Sequence, residues 1–120
     1  MIRNERFVVG KTLWELPAGT LELDEKPRST AERELLEETG YRANTFKFLT
    51  QFYTTPGFCN ETMFAYVATD LQMVGQKLDE TENIAVEKLS WDRVLEMVRI
   101  GEICDGKTIS TLLYYDKFFK

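Results

Sequence analysis

The stretch "RELLEETG", Arg33 to Gly40, decides how this chain is read. It has the form of a helix end, with Gly40 as the stop. Three carboxylates, Glu34, Glu37 and Glu38, crowd its last turns. Successive helical residues are about 100° apart, so with Glu34 at zero Glu38 falls at about +40° and Glu37 at about −60°. All three share an arc of roughly 100°, while Leu35 and Leu36 point elsewhere. Local energetics oppose this layout. Like charges at i,i+3 or i,i+4 cost about 0.2–0.5 kcal/mol per pair. Negative charge in the last turn costs about another 0.3–1 kcal/mol against the helix dipole. A solvated acidic face is the ordinary reading of a lone pair of glutamates. A pattern that breaks local rules without a folding benefit points to a functional site instead. A divalent cation is the direct compensation. Hard cations such as Mg²⁺ choose oxygen ligands and keep several waters, which lets them also hold phosphate oxygens.

The flanks extend the pattern. Pro27 suits a first helical position and Gly40 the position after the last, so a helix is predicted over 27–39. Before it lies "ELPAGTLELDE". Gly19 allows a backbone turn that a Cβ would obstruct, and Ala18 could offer a carbonyl oxygen beside the acidic face. Glu25 can pair with Arg33 and pin the loop to the helix, or stand as an exposed loop acid.

The net charge is −5, and its location matters more than its size. Residues 15–40 hold eight acids and three bases, which is −5; the rest has twelve of each sign and sums to zero. A local excess suggests a cation site. Nucleic-acid binding through a basic face has no support. The chain has no histidine, which removes His-based triads, His-ligated zinc and His general bases. Acid–base work falls to carboxylates, Lys, Tyr or a metal-bound water. Cys59 and Cys104 form no CxxC or zinc spacing and read as buried free thiols. No apolar run reaches the roughly 20 residues of a membrane span, and "MIRNERFVVG" has no signal-peptide pattern. A cytoplasmic location follows by default.

The 120 residues read as one domain, 1–120, without repeats or linkers. Short strands are predicted at 5–9 and 12–16, interrupted at Gly10. An aromatic- and Thr-rich alternating strand follows at 46–54, and a largely apolar, central one at 61–71. A strand at 84–89 precedes a helix capped by Ser90 and running from Trp91 to about Ile100. A last helix, about 108–118, carries Ile109, Leu112, Leu113 and Phe119 near one stripe. The order suggests an α+β layered fold with helices covering a mixed sheet.

Gly19, Glu25 and then Arg33-Glu34-Leu35-Leu36-Glu37-Glu38-Thr39-Gly40-Tyr41 together resemble the Nudix box of nucleoside-diphosphate-linked hydrolases. The match covers 23 residues and departs only at the final aliphatic position, where Tyr41 is aromatic. The fold this implies is the family's α/β/α sandwich with a mixed sheet, here lacking the usual N-terminal strand or domain. Within the family, "LWELPAGTLE" and "EETGY" look most like ADP-ribose and ADP-sugar pyrophosphatases. "RFVVG" resembles the strand in which an Arg, here Arg6, contacts the nucleotide. "TTPGFCNE" resembles the loop after the box, with Pro56 and an acid, here Glu61. The stretch from "DETENIAVEKL" to "ICDGKT" resembles the C-terminal half, whose acidic loop reaches the active site through Glu80 and Glu82.

The expected chemistry is hydrolysis of a pyrophosphate. Mg²⁺, with Mn²⁺ as a substitute, would neutralise phosphate oxygens and lower the pKa of the attacking water. Glu34 and Glu38 are the main expected ligands, with Glu37 assisting and the Ala18 carbonyl as a further one. Glu82, with Glu80 as the alternative, is the expected base, and Arg33 and Glu37 complete the catalytic set. Arg6, Glu61 and Gly19 are expected at the substrate; Glu25 and Gly40 are structural. Trp14, Phe52, Tyr53 and Phe58 are candidates for stacking on a base or for core packing. The implied substrate is a small nucleoside diphosphate derivative, ADP-ribose or an ADP-sugar, and the resemblance allows a homodimer. Hydrolysis of nucleoside triphosphates or dinucleotides, and a catalytically silent binding module, remain the alternatives.

Overall fold

The computed structural model describes residues 1–78 and 83–120. Strands β1 (Ile2–Arg6) and β2 (Lys11–Glu15) form an antiparallel hairpin. Its turn is closed by Gly10 N–H donating to Phe7 O at 3.1 Å, with Gly10 at φ +65°. β1 therefore lies three residues earlier than the predicted 5–9. Register explains the shift. Ile2 pairs with both Glu15 and Val86 and is buried, whereas Phe7 and Val8 are 81% and 100% exposed in the turn. Apolar character suggested a strand there, but a strand needs partners, and the left-handed glycine ends the pairing first.

Helix α1 runs Pro27–Thr39, as predicted. Gly40, at φ +79°, closes it by donating to Leu36 O and sends the chain straight into β3 (Tyr41–Tyr53). β3 starts five residues before the expected 46, because no loop separates it from the helix. β4 (Thr62–Met73) pairs with it antiparallel along nearly its whole length, with an irregularity at Phe48/Thr50. β4 was expected to be central. Among the described residues it pairs with β3 alone, and its far end from Thr69 is exposed. β5 (Ile84–Val86) joins the other edge of β1, giving the order β2-β1-β5. The mixed sheet expected from the sequence is represented among the described residues by antiparallel ladders alone.

Helix α2 (Trp91–Arg99) is capped by Ser90, whose side chain accepts from Arg93 N–H at 3.2 Å. Helix α3 (Gly106–Tyr114) starts two residues before the predicted 108 because Asp105 caps it, accepting from Thr108 N–H and Oγ1–H. A wider π-type turn, Tyr115–Phe119, ends the chain and is tied back by Trp91 Nε1–H donating to Asp116 at 2.8 Å. Val94, Met97, Ile103 and Leu112 form the buried core cluster, with Trp14, Leu16 and Ile109 packed against it. Leu113 and Phe119 are 46% and 42% exposed, so the expected stripe is narrower than four residues. No helix among the described residues is long and apolar enough to cross a membrane.

The packing leaves α1 in an unusual position. Its buried residues are Thr30, Glu38 and Thr39, while Leu35 and Leu36 are only half-buried. The helix thus buries a carboxylate more deeply than its leucines. Burial of a charge is costly unless it is paired or bonded, so this face marks a candidate site.

Candidate active site

The bend between β2 and α1 lies over the acidic face. Ala18 N–H donates to Glu38 Oε2 at 3.1 Å, which ties the bend to the helix. A Cβ built on Gly19 would fall 2.0 Å from Glu34 Oε1. Glycine is needed there for close approach: any side chain would displace the Glu34 carboxylate. Gly19→Ala is accordingly expected to leave the melting temperature nearly unchanged while weakening divalent-cation binding by about tenfold, as for other residues that orient ligands. Calorimetric titration with Mg²⁺ or Mn²⁺ beside a thermal melt checks this.

Arg33 organises the carboxylates. Its Nε–H and Nη2–H donate to the two oxygens of Glu25 at 2.8 and 3.0 Å. Nη2–H also donates to Thr20 O at 3.3 Å. Nη1–H donates to Glu34 Oε1 at 2.9 Å and Glu37 Oε2 at 3.2 Å. Of the two readings of Glu25, the structure takes the pairing with Arg33. Glu25 also accepts from Glu22 N–H and Thr30 Oγ1–H. The hydrogen bonds from Arg33, then those from the Glu22 backbone and Thr30, hold its carboxyl at about 2, down from an ordinary 4.5. The same pairing raises the Arg33 guanidinium, so both groups are charged at neutral pH.

A polar hollow of about 370 Å³ separates α1 from the bend, with Glu34, Glu37, Glu38 and Glu22 on its walls. Hard oxygen donors of this kind match Mg²⁺ or Mn²⁺. Among the described residues, no three acids stand close enough together to form a ready cation cluster. The reason is visible in the bonds: Glu34 and Glu37 lie on Arg33, and Glu38 on the Ala18 amide. The oxygen donors on this one helix face fit the ion's chemistry.

Beside the hollow opens a cleft of about 850 Å³ bordered by Arg6, Glu34, Glu61 and Lys107. Arg6 makes a two-pronged pair with Glu15 at 2.8 and 2.6 Å. Glu15 is 1% exposed and also accepts from Lys107 Nζ at 3.3 Å, which in turn bonds Asp105. Asp105 stays below its ordinary value: burial raises it, but bonds from Thr108 and Lys107 outweigh that. Glu61 accepts from Thr54 Oγ1–H at 2.7 Å at the cleft edge. The aromatic rings on the cleft are Phe46, Phe64 and Tyr66; Trp14, Phe52, Tyr53 and Phe58 are not part of its lining. Trp14 packs on the core under Arg3, and Phe58 is 85% exposed. Glu80 and Glu82 lie outside the described residues.

Sequence reading missed Glu15 and Lys107. The signal for Glu15 was present: a charge at the inward end of "TLWEL", where alternation calls for an apolar residue. Nothing local marks Lys107, which sits 92 positions from its partner.

This geometry can be set beside known proteins. The model of the NUDIX domain matches residues 2–110. The chain is 39% identical over 116 residues to an ADP-ribose pyrophosphatase of Bacillus subtilis, covering 95% of this chain and 63% of that protein. It is 37% identical over 106 residues to a GDP-mannose pyrophosphatase of Salmonella typhimurium, covering 85% and 54%. The chain thus spans less than two thirds of the length of either relative. A crystal structure of an ADP compounds hydrolase superposes with a TM-score of 0.88 at 22% identity, over 98% of this chain and 63% of that one, which shows a shared fold. Box, clamp and fold agree with a match over nearly the whole chain, and the chain belongs to the NUDIX domain family.

Proposed function

We propose that the chain is a Mg²⁺-dependent pyrophosphohydrolase, acting in the cytoplasm, that converts ADP-ribose or an ADP-sugar to AMP and a sugar phosphate. The observation that carries this is the α1 face. Glu34, Glu37 and Glu38 stand over the Ala18–Thr20 bend, with Arg33 clamped to Glu25. Cys59 and Cys104 are free thiols, half-buried and exposed rather than buried as the sequence suggested, and free thiols suit a reducing compartment.

The cation, when bound, supplies charge neutralisation at the phosphates and a more acidic water. Glu34 and Glu38 would hold it, with Glu37 and the Ala18 carbonyl assisting. Glu82, or Glu80, would accept the proton of the attacking water. Arg6 borders the cleft while paired with the buried Glu15, and its guanidinium would meet the substrate from that anchored position. It can contact phosphate oxygens. Glu61 borders the same cleft and would meet the nucleotide there.

Incubation with ADP-ribose and Mg²⁺ should release AMP and ribose 5-phosphate in equal amounts, and a chelator should stop the release. GDP-mannose belongs in the same assay, since relatives of comparable identity are named for it. Faster turnover of GDP-mannose would reassign the base pocket. Tight ligand binding without turnover, insensitive to chelator, would instead favour a silent binding module.

A further inference from the structure

The segment after β4 is docked onto the C-terminal turn of α1. Val74 N–H and Gly75 N–H both donate to Gly40 O, at 2.7 and 3.0 Å. Lys77 N–H donates to Glu37 O at 2.9 Å. The Gln76 carboxamide donates to Glu38 O and, at 3.1 Å, to Ile84 O. The Glu37, Glu38 and Gly40 carbonyls lie at the helix end, where carbonyls lack intrahelical partners. Two of them belong to residues whose carboxylates face the cation hollow.

The contact is close enough to constrain Gly40. A Cβ there would stand 2.9 Å from Gln76 N and 3.0 Å from Gly75 C. Gly40 therefore serves twice, as the left-handed helix stop and as the flat seat for residues 75–76. Docked N–H dipoles also oppose the negative end of the helix dipole, where Glu37 and Glu38 concentrate further negative charge. Segment 74–77 thus offsets part of the local cost noted for the "EETG" turn.

Gln76 differs from its neighbours in joining three parts of the chain. Its amide group bridges a carbonyl of α1 and a carbonyl of β5, and both acceptors belong to buried residues, Glu38 and Ile84. β5 in turn pairs with β1, so the bridge ties the glutamate helix to the three-stranded sheet. The side chain has a flexible stem, and holding it in one place costs rotamer entropy. Two carbonyl acceptors on separate elements compensate for that cost.

We infer that Gln76 is a positioning residue: its carboxamide sets the Glu37–Glu38 turn against β5 and so fixes the carboxylates that hold the cation. The inference rests on the cation site proposed above. Groups that orient metal ligands from behind typically change affinity or activity by about 10–100-fold when removed.

The test is Mn²⁺ binding, read by electron paramagnetic resonance or calorimetry on the full chain, beside ADP-ribose kinetics and a thermal melt. Gln76→Ala should weaken Mn²⁺ binding about tenfold and lower kcat with little change in KM. Gln76→Lys, which restores a donor on a long stem, should recover most of the affinity. Gln76→Glu keeps the size but turns an acceptor toward two carbonyls, and should be as weak as Gln76→Ala; it stands in should the alanine variant fail to fold. A fall in melting temperature with wild-type Mn²⁺ affinity in every variant would overturn the inference and leave Gln76 a fold-holding residue only. Wild-type protein that binds Mn²⁺ but does not cleave ADP-ribose would remove the proposed substrate, and the affinity series would still decide the role of Gln76. Wild-type protein that binds no Mn²⁺ would overturn the cation site and this inference together.

Discussion

Glu38→Gln is expected to cut Mg²⁺-dependent cleavage of ADP-ribose by on the order of a thousandfold, with the fold intact. Glu38 is the most buried of the three carboxylates, at 5% exposure, and its Oε2 accepts from the Ala18 amide. Glutamine keeps the shape and an acceptor oxygen for that amide, so the bend stays docked. What it removes is the negative charge, and a hard cation binds charge and oxygen together. Stability and turnover should therefore separate: a melt within a few degrees of wild type, and almost no AMP. Glu37→Gln should be milder, about tenfold, because its side chain is 39% exposed and, in the proposed site, would only assist from the edge. Turnover by Glu38→Gln within a few fold of wild type would remove Glu38 from the chemistry.

The second large effect is on the clamp. Arg33→Gln leaves Glu25, Glu34 and Glu37 without the guanidinium that each of them bonds. Turnover is expected to fall about 10–100-fold, because ligand orientation rather than ligand identity is lost. Arg33→Lys should not rescue it, since an ammonium cannot bond Glu25 along one edge and Glu34 along another. The acid side of the stability profile gives an independent check. The Glu25 carboxyl lies at about 2 in the folded chain against an ordinary 4.5. A lowered carboxyl contributes stability that is fully present above its unfolded value and is lost as pH falls through its folded value. Melting temperature should thus decline between about pH 4.5 and pH 2 in the wild type. Glu25→Gln should melt lower at neutral pH and show a flatter decline across that window. Superimposable acid limbs for the two proteins would mean that the pairing contributes nothing to folding.

Much of the site could be read locally, and the reasons are specific. The extent of α1 followed from Pro27 and Gly40, two residues whose backbone preferences act within a turn of themselves. The shared face of Glu34, Glu37 and Glu38 followed from the helical repeat. The Arg33–Glu25 pair could be named but not decided, because an exposed loop acid has the same sequence. Errors arose where pairing sets the outcome. Phe7–Val9 look like strand and form a turn, because β1 takes its register from Ile2 against Glu15 and Val86. Trp14, Phe52, Tyr53 and Phe58 could be read as stacking or as packing residues but not decided between them; Trp14 packs on the core, and the rings that border the cleft are Phe46, Phe64 and Tyr66 of β3 and β4.

By itself the sequence determined the family, the acidic helix face and the glycine that lets the bend approach it, because each depends on contacts within a few turns of chain. Only the tertiary structure decided that Glu15 is buried and shared between Arg6 and Lys107, and that residues 74–77 complete the end of α1. Those partners lie from 9 to 92 positions apart in the chain. Helical periodicity is a property of neighbouring dihedral angles and can be read along the chain. A buried ion pair depends on which distant surfaces exclude water together, and that is set only when the sheets and helices pack.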